Sequence, residues 1–241
     1  MALKGFTRKF KPVEILTEEE VEAIHTGTLE VLWKTGARME HERALKLLEK
    51  NGCKVDYHTT YTPYFGFEGV PPCMAMLESL AARIRNSTKF LVAGHSNDSE
   101  VFAIEMAQAV GIEIMGTCTA APPLTFYRDA VESAFRLAAA GLPVGIVGAP
   151  VMGGSAPATI AGGIVSNNVE VIAGLMLTQL IKPGTRVLAL DFAMSMDMST
   201  GAPAFGSIGV CLHMAAFNQI FRKYGVPTYD ADGYPNSKMP D

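Results

Sequence analysis

The feature that most constrains this chain is a repeated order of signals: a short apolar run, a glycine or proline, then a segment of helical length. Apolar runs at 61–67, 90–94, 112–115, 144–147, 187–190 and 227–231 read as strands. Segments at 71–86, 98–110, 129–140, 158–180 and 208–224 read as helices, and Gly111, Gly141, Pro183-Gly184 and Gly225 supply the stops. Continuous apolar strands alternating with helices predict a parallel sheet buried on both faces, wound by right-handed crossovers. An open doubly wound sheet and a closed barrel both satisfy this. No G-x-G-x-x-G follows the first strand, which disfavours a dinucleotide-binding sheet. A TIM-type (β/α) barrel is therefore the expected class, and an incomplete one, because six strands fall short of eight.

Residues 1–57 differ and are expected to form an N-terminal helical cap, with the partial βα barrel over 58–241. Thr17 followed by Glu20 is a capping box, Val21, Ile24, Thr28, Val31 and Leu32 recur at helical spacing, and Gly36 suits the stop. A second helix is expected over 40–50, ended by Asn51-Gly52.

Composition excludes several partners. The chain has 241 residues, a net charge of −4 and no long basic run, so nucleic acid is not expected. Cys53, Cys73, Cys118 and Cys211 form no C-x-x-C pair and the five histidines are scattered, so no metal site is expected. The opening segment carries Lys4, Arg8, Lys9 and Lys11 without an apolar core, unlike a signal peptide, and Gly, Pro or charge interrupts each apolar stretch. The expectation is a soluble, cytoplasmic protein with no membrane partner. Open parallel edges favour association, so a homo-oligomer is expected.

In a βα barrel the site lies at the C-terminal ends of the strands. That rule selects His95, Ser96 and Asn97; Thr117, Cys118 and Thr119; Met152, Gly153, Gly154 and Ser155; Asp191, Met194 and Met196; and Asp232, Gly233 and Tyr234, all expected to face one mouth. His95 can serve as a general base or hydrogen-bond the substrate, or can be a loop histidine with no role. The Gly153-Gly154-Ser155 loop, with a helix start just after it, can receive a carboxylate or phosphate on free N–H groups; equally it can be a tight turn. Alternating methionines at 194, 196 and 198 can line an adaptable mouth or pack beneath a loop. His213 reads as a packed helix residue. There is no G-x-S-x-G elbow, which disfavours a serine hydrolase.

The block Gly153-Gly154-Ser155-Ala156-Pro157, Ala161-Gly162, Asn168-Val169-Glu170-Val171, Leu177-Thr178-Gln179-Leu180 and Pro183-Gly184 resembles the trimethylamine:corrinoid methyltransferase family. The opening Leu16-Thr17-Glu18-Glu19, and the later Gly201-Ala202-Pro203, Tyr224-Gly225-Val226-Pro227 and Lys238-Met239-Pro240-Asp241, continue it. The resemblance implies a TIM barrel that moves a methyl group from a quaternary or tertiary amine to the Co(I) of a corrinoid carried by a separate protein, with no cofactor bound directly. It also places Tyr234 at the position occupied by pyrrolysine in archaeal members, which implies the non-pyrrolysine, glycine betaine-like branch. A quaternary ammonium offers no donor hydrogens, so aromatic faces and carboxylates must hold it. Phe192, Phe205, Tyr234, Asp191 and Asp232 are available for that, with Tyr234, Asp191 and His95 as the expected catalytic residues. Three departures stand out: a segment is missing after about residue 57, family members continue beyond Asp241, and Ser207-Ile208-Gly209 stands where the family usually has a Glu. The alternatives are a non-catalytic shortened relative serving as a binding or assembly subunit, and a phosphate-binding barrel enzyme. The latter leaves the long-range motif match unexplained.

Overall fold

In the computed structural model, residues 14–39, 42–51, 71, 74, 77, 78, 80, 81, 84, 85, 91, 92 and 98–230 are described. The expected strand at 61–67 lies outside them, as do His95, Asp232 and Tyr234. The described elements are α1 (Glu18–Lys34), β1 (Arg38–Met39), α2 (Glu42–Lys50), β2 (Leu91–Val92), α3 (Ser99–Val110), β3 (Ile114–Thr119), β4 (Thr125–Phe126), α4 (Arg128–Ala140), β5 (Val144–Gly148), β6 (Val151–Met152), α5 (Ile160–Ile181), β7 (Val187–Asp191), β8 (Met194–Met196), β9 (Pro203–Ala204), α6 (Ile208–Lys223) and β10 (Thr228–Asp230).

The main sheet has five strands in the order β10-β7-β5-β3-β2, and every pairing in it is parallel. The protein is thus mixed α/β, with a curled parallel sheet shaped as a half-barrel. The order follows the chain except for the short outlying strands, as βα crossovers of one hand require. Two expectations shift by two residues or more at their ends. The second observed strand of the sheet runs over Ile114–Thr119 rather than 112–115. The reason is the stop before it: Gly111 takes φ +70° and the Ile112 N–H bonds back to the Ala107 carbonyl, so residue 112 still belongs to the helix cap. The long helix starts at Ile160, not 158, because Thr159 is its N-cap and accepts from the Gly162 N–H. Sequence periodicity did not reveal the small sheets β1-β4 and β6-β8-β9, whose strands are two or three residues long.

The larger of two hydrophobic clusters among the described residues joins the N-terminal helices to the sheet, while Leu80, Leu91, Ala103, Ala107 and Ile114 form the smaller one. In the larger, the contacts run from helix to strand to helix. Val21 and Ile24 of α1 and Ala44, Leu45 and Leu48 of α2 join Val144 and Ile146 of β5, Ala189 of β7 and Phe217 and Phe221 of α6. The N-terminal helices are further bound by polar contacts. The capping box is present, with Glu20 N–H on Thr17 Oγ1 and Thr17 N–H on Glu20 Oε2. Gln219 of α6 accepts the Ile15 and Leu16 N–H groups through Oε1. Asn168 donates to Thr28 Oγ1 at 2.7 Å, and Tyr224 Oη lies 2.8 Å from His25 Nδ1.

Helix α5 crosses the middle of this core. By length and composition it could span a bilayer, yet it carries the buried polar residues Asn167, Asn168, Glu170 and Thr178 and packs on β5, β7, α1 and α6. Its approach to β5 is set by Gly174: a Cβ there would stand 2.4 Å from Ile146 Cγ2 and 3.3 Å from Phe126 Cζ. Gly174→Ala should therefore destabilise the fold by about 1–2 kcal/mol, since overpacking outweighs the gain in helix propensity of about 1 kcal/mol. Urea unfolding at neutral pH measures this, and the added cost of Gly174→Ala should shrink in an Ile146→Ala background, which removes the Cγ2 methyl.

Candidate functional site

Strand register decides which residues reach the mouth. Gly116 and Gly148 face the helices, because a Cβ there would strike Leu137 of α4 and Asn167 of α5. Register pairs Cys118 with Ile146 and Ala189, and Gly148 with Asp191, so these residues share that helix-facing side. Thr117, Gly145, Leu188 and Leu190 occupy the opposite, concave side; over Gly145 the Leu190 and Met115 side chains leave no room for a Cβ.

The expectation that all strand-end residues face one mouth is therefore corrected. Cys118 is buried in the core, and burial pushes its thiol up to about 12. Met152 is buried against Gly163. Asp191 also turns toward the helices. Its carboxylate is wholly buried: Oδ1 accepts from Asn167 Nδ2 at 2.8 Å and from the Ala193 N–H at 3.0 Å, and Oδ2 lies 2.9 Å from His213 Nδ1. Alternation along β7 causes this, since Val187, Ala189 and Asp191 share one face and Ala189 is a core residue. His213 was read as a packed helix residue. It is packed, but its ring holds the Asp191 carboxylate. The spacing of an aspartate at a strand end and a histidine one helix later carries no motif, so only the fold discloses the pair.

A second buried polar group was missed, although its residue lies inside the quoted motif. Glu170 is one turn from Asn167 on α5. Its Oε1 accepts the Leu124 N–H at 2.9 Å, and the Ala149 N–H also bonds the carboxyl. Leu124 has φ +51°, an unusual value for a branched residue, so the glutamate secures a strained turn between β3 and β4 to the end of β5. Oε2 has no partner among the described residues. Burial raises the Glu170 carboxyl to about 7, against the pull of the two backbone N–H groups.

The Gly153-Gly154-Ser155 loop is a tight turn, with Gly153 at φ +91°. The Gly153 N–H is bound to the Ala156 carbonyl and the Gly154 N–H to the Val151 carbonyl, while Ser155 Oγ accepts the Val151 N–H. These groups close the turn on itself, and the helix begins only at Ile160. Met196 and Met198 lie against the two glycines, so the methionines pack over this loop, with Met198 largely exposed. Between them Asp197 closes the next turn; hydrogen bonds from the Ser199 hydroxyl and N–H, and from Thr200, hold its carboxyl below the usual range.

Phe192 and Phe205 are brought together. Phe192 directly follows β7 and Phe205 directly follows β9, and their ring centroids are 6.3 Å apart at 57°. The Phe192 N–H is held by the Gly148 carbonyl at 3.0 Å. Behind them the Ser207 and Ser195 hydroxyls meet at 3.1 Å, tying the start of α6 to β8. Two half-buried aromatic side chains thus stand at the C-terminal end of the parallel sheet of an α/β protein, beside a buried polar layer.

A sequence model of the trimethylamine methyltransferase (MTTB) family matches residues 1–66 and 96–241, and the chain belongs to that family. It is 34% identical over 119 residues to trimethylamine methyltransferase MttB2 of Methanosarcina mazei, covering 49% of this chain and 24% of that relative. It is 23% identical to the glycine betaine methyltransferase of Desulfitobacterium hafniense, over 94% of this chain and 66% of that relative. A trimethylamine methyltransferase MttB of the same species is 24% identical over 93% of this chain and 64% of its own length. The chain thus spans no more than about two thirds of these relatives. The 318 positions aligned to the glycine betaine methyltransferase exceed the chain's 241 residues, so that relative carries internal segments absent here.

Proposed function

We propose that this chain acts as a methyltransferase that takes a methyl group from a quaternary or tertiary amine, with a separate corrinoid protein as acceptor. The observation that carries the reading is the Phe192–Phe205 pair at the strand ends of a chain of this family. Two tilted ring faces suit a trimethylammonium group, which is held by cation–π attraction and apolar contact instead of by hydrogen bonds. Tyr234 and Asp232 are proposed as further walls, and His95 as a polar contact from the neighbouring strand end. The corrinoid supplies the nucleophilic Co(I) that receives the methyl group. The chain's own residues bind and orient the amine and exclude water. The complete fold is then a TIM barrel of which this sheet is one half, and the cytoplasm is the proposed location. The reading is tested by calorimetry with glycine betaine: Phe192→Ala and Phe205→Ala should each weaken binding two- to thirtyfold, for a cation–π loss of about 0.5–2 kcal/mol. Unchanged binding in both variants rejects it.

The internal segments that the glycine betaine methyltransferase carries and this chain lacks favour a second reading, a shortened relative that binds its corrinoid protein or another subunit without turning over. Methyl transfer to a Co(I) corrinoid protein, followed by its visible spectrum, separates the two. Glycine betaine binding without transfer selects the second.

A further inference from the structure

We propose that His213 is a positioning residue for the aromatic site, acting through Asp191 on the backbone that carries Phe192. This role rests on the amine-binding reading of the Phe192–Phe205 pair, but its mechanical part can be tested without any ligand.

Two hydrogen bonds from backbone N–H groups fix Phe192. Its own N–H is held by the Gly148 carbonyl at 3.0 Å, and the next N–H along the chain, that of Ala193, is held by Asp191 Oδ1 at 3.0 Å. The ring therefore leaves a backbone pinned on both sides. One of those pins is a carboxylate whose orientation is set from outside the strand. Asn167 of α5 donates to its Oδ1 and His213 of α6 meets its Oδ2, and both side chains of the His213–Asp191 pair are fully buried. Nδ1 is the ring nitrogen of His213 that faces the carboxylate, and Nε2 has no partner among the described residues.

Helix α6 also carries Ser207, at its N-cap, bonded to Ser195 on β8. The helix thus grips the β7–β8 segment on both sides of Phe192, at Asp191 and at Ser195, while Phe205 stands just before its first turn. The two rings share one support. A cation without donor hydrogens is held largely by the placement of the ring faces, so a carboxylate that could rotate away from Ala193 would loosen the pair that the amine-binding reading rests on.

The test compares His213→Asn with His213→Gln. The asparagine amide can occupy the place of Nδ1 and keep the donor to Asp191. The glutamine amide reaches the Nε2 position and loses it. Hydrogen exchange of the free protein should accelerate roughly tenfold or more at Ala193 in H213Q, the equivalent of one lost hydrogen bond to a charged acceptor, and stay near wild type in H213N. Glycine betaine affinity should fall roughly fivefold in H213Q, recover in H213N, and show no further change when H213Q is added to Phe192→Ala. Equal exchange at Ala193 in the two variants overturns the proposal, as does an H213Q loss that persists in the Phe192→Ala background. If the wild-type protein binds no glycine betaine, the amine-binding reading fails and the exchange comparison alone decides whether His213 positions this backbone.

Discussion

Glu170→Gln is expected to remove most of the pH dependence of folding stability between pH 4.5 and 7. The carboxyl stands at about 7 in the folded protein against 4.5 for an ordinary glutamate, with burial as the main cause. The sign follows from proton binding. Between those two values the folded state holds a proton that the unfolded state has released, so raising the pH favours unfolding. Stability from this group is greatest below pH 4.5, declines through the window and levels off above pH 7. A shift of this size corresponds to at most about 3 kcal/mol across the whole window. Glutamine keeps an oxygen for the Leu124 and Ala149 N–H groups and never ionises. The variant should thus match wild type near pH 5 and exceed it by about 2–3 kcal/mol at pH 8, read from urea midpoints at both values. Equal wild-type stability at pH 5 and 8, after subtracting the slope of the variant, would show that the carboxyl is not held in its neutral form.

How much of this could be read from residues alone differs by length scale. The helices were legible because each has chemical punctuation: Thr17 with Glu20, Gly111, Gly141 and Gly225 mark ends that the structure places within a residue or two. The parallel strands were legible as apolar runs buried on both faces. Facing was not. An uninterrupted run such as Val187–Asp191 carries no alternation to say which side chains meet the helices, and so Asp191 was assigned to the mouth when it belongs to the helix layer. The same ambiguity hid His213 and Glu170, whose partners lie on other elements: Asp191 is 22 residues before His213, and Leu124 is 46 residues before Glu170. The Gly153-Gly154 pair shows the converse limit. Glycines permit a ligand to approach and equally permit a turn to close, and only the hydrogen bonds of their N–H groups separate the two. The aromatic pair was legible as chemistry, while its pairing geometry depends on the β8–β9 hairpin, whose strands are too short to show a period.

Gly148→Ala is expected to be among the most damaging single-methyl additions in this chain, costing about 3–5 kcal/mol. A Cβ at Gly148 would lie 1.9 Å from Asn167 Oδ1 and 3.1 Å from Asn167 Cγ and Val171 Cγ2. Backbone strain is not the cause, because Gly148 lies in regular β5; the cost is the collision alone. Asn167 cannot yield freely, since its Nδ2 donates to Asp191 and the residue is fully buried. Two terms then add: overpacking of a closed core, about 1–3 kcal/mol, and loss of a hydrogen bond to a charged acceptor, about 1.5–3 kcal/mol. The second term links this position to the aromatic site, because Asp191 also holds the Ala193 N–H beside Phe192. A double-mutant cycle separates the terms. In an Asn167→Ala background the obstructing amide and its hydrogen bond are already gone, so adding G148A should cost less than about 1 kcal/mol more. The coupling between the two positions should therefore reach at least 2 kcal/mol by urea unfolding, with the new Cβ at position 148 occupying the space the asparagine amide left. Additive losses in the cycle would mean that G148A acts through something other than Asn167, and the buried layer joining α5 to the strand ends would then not be the rigid support that the site requires.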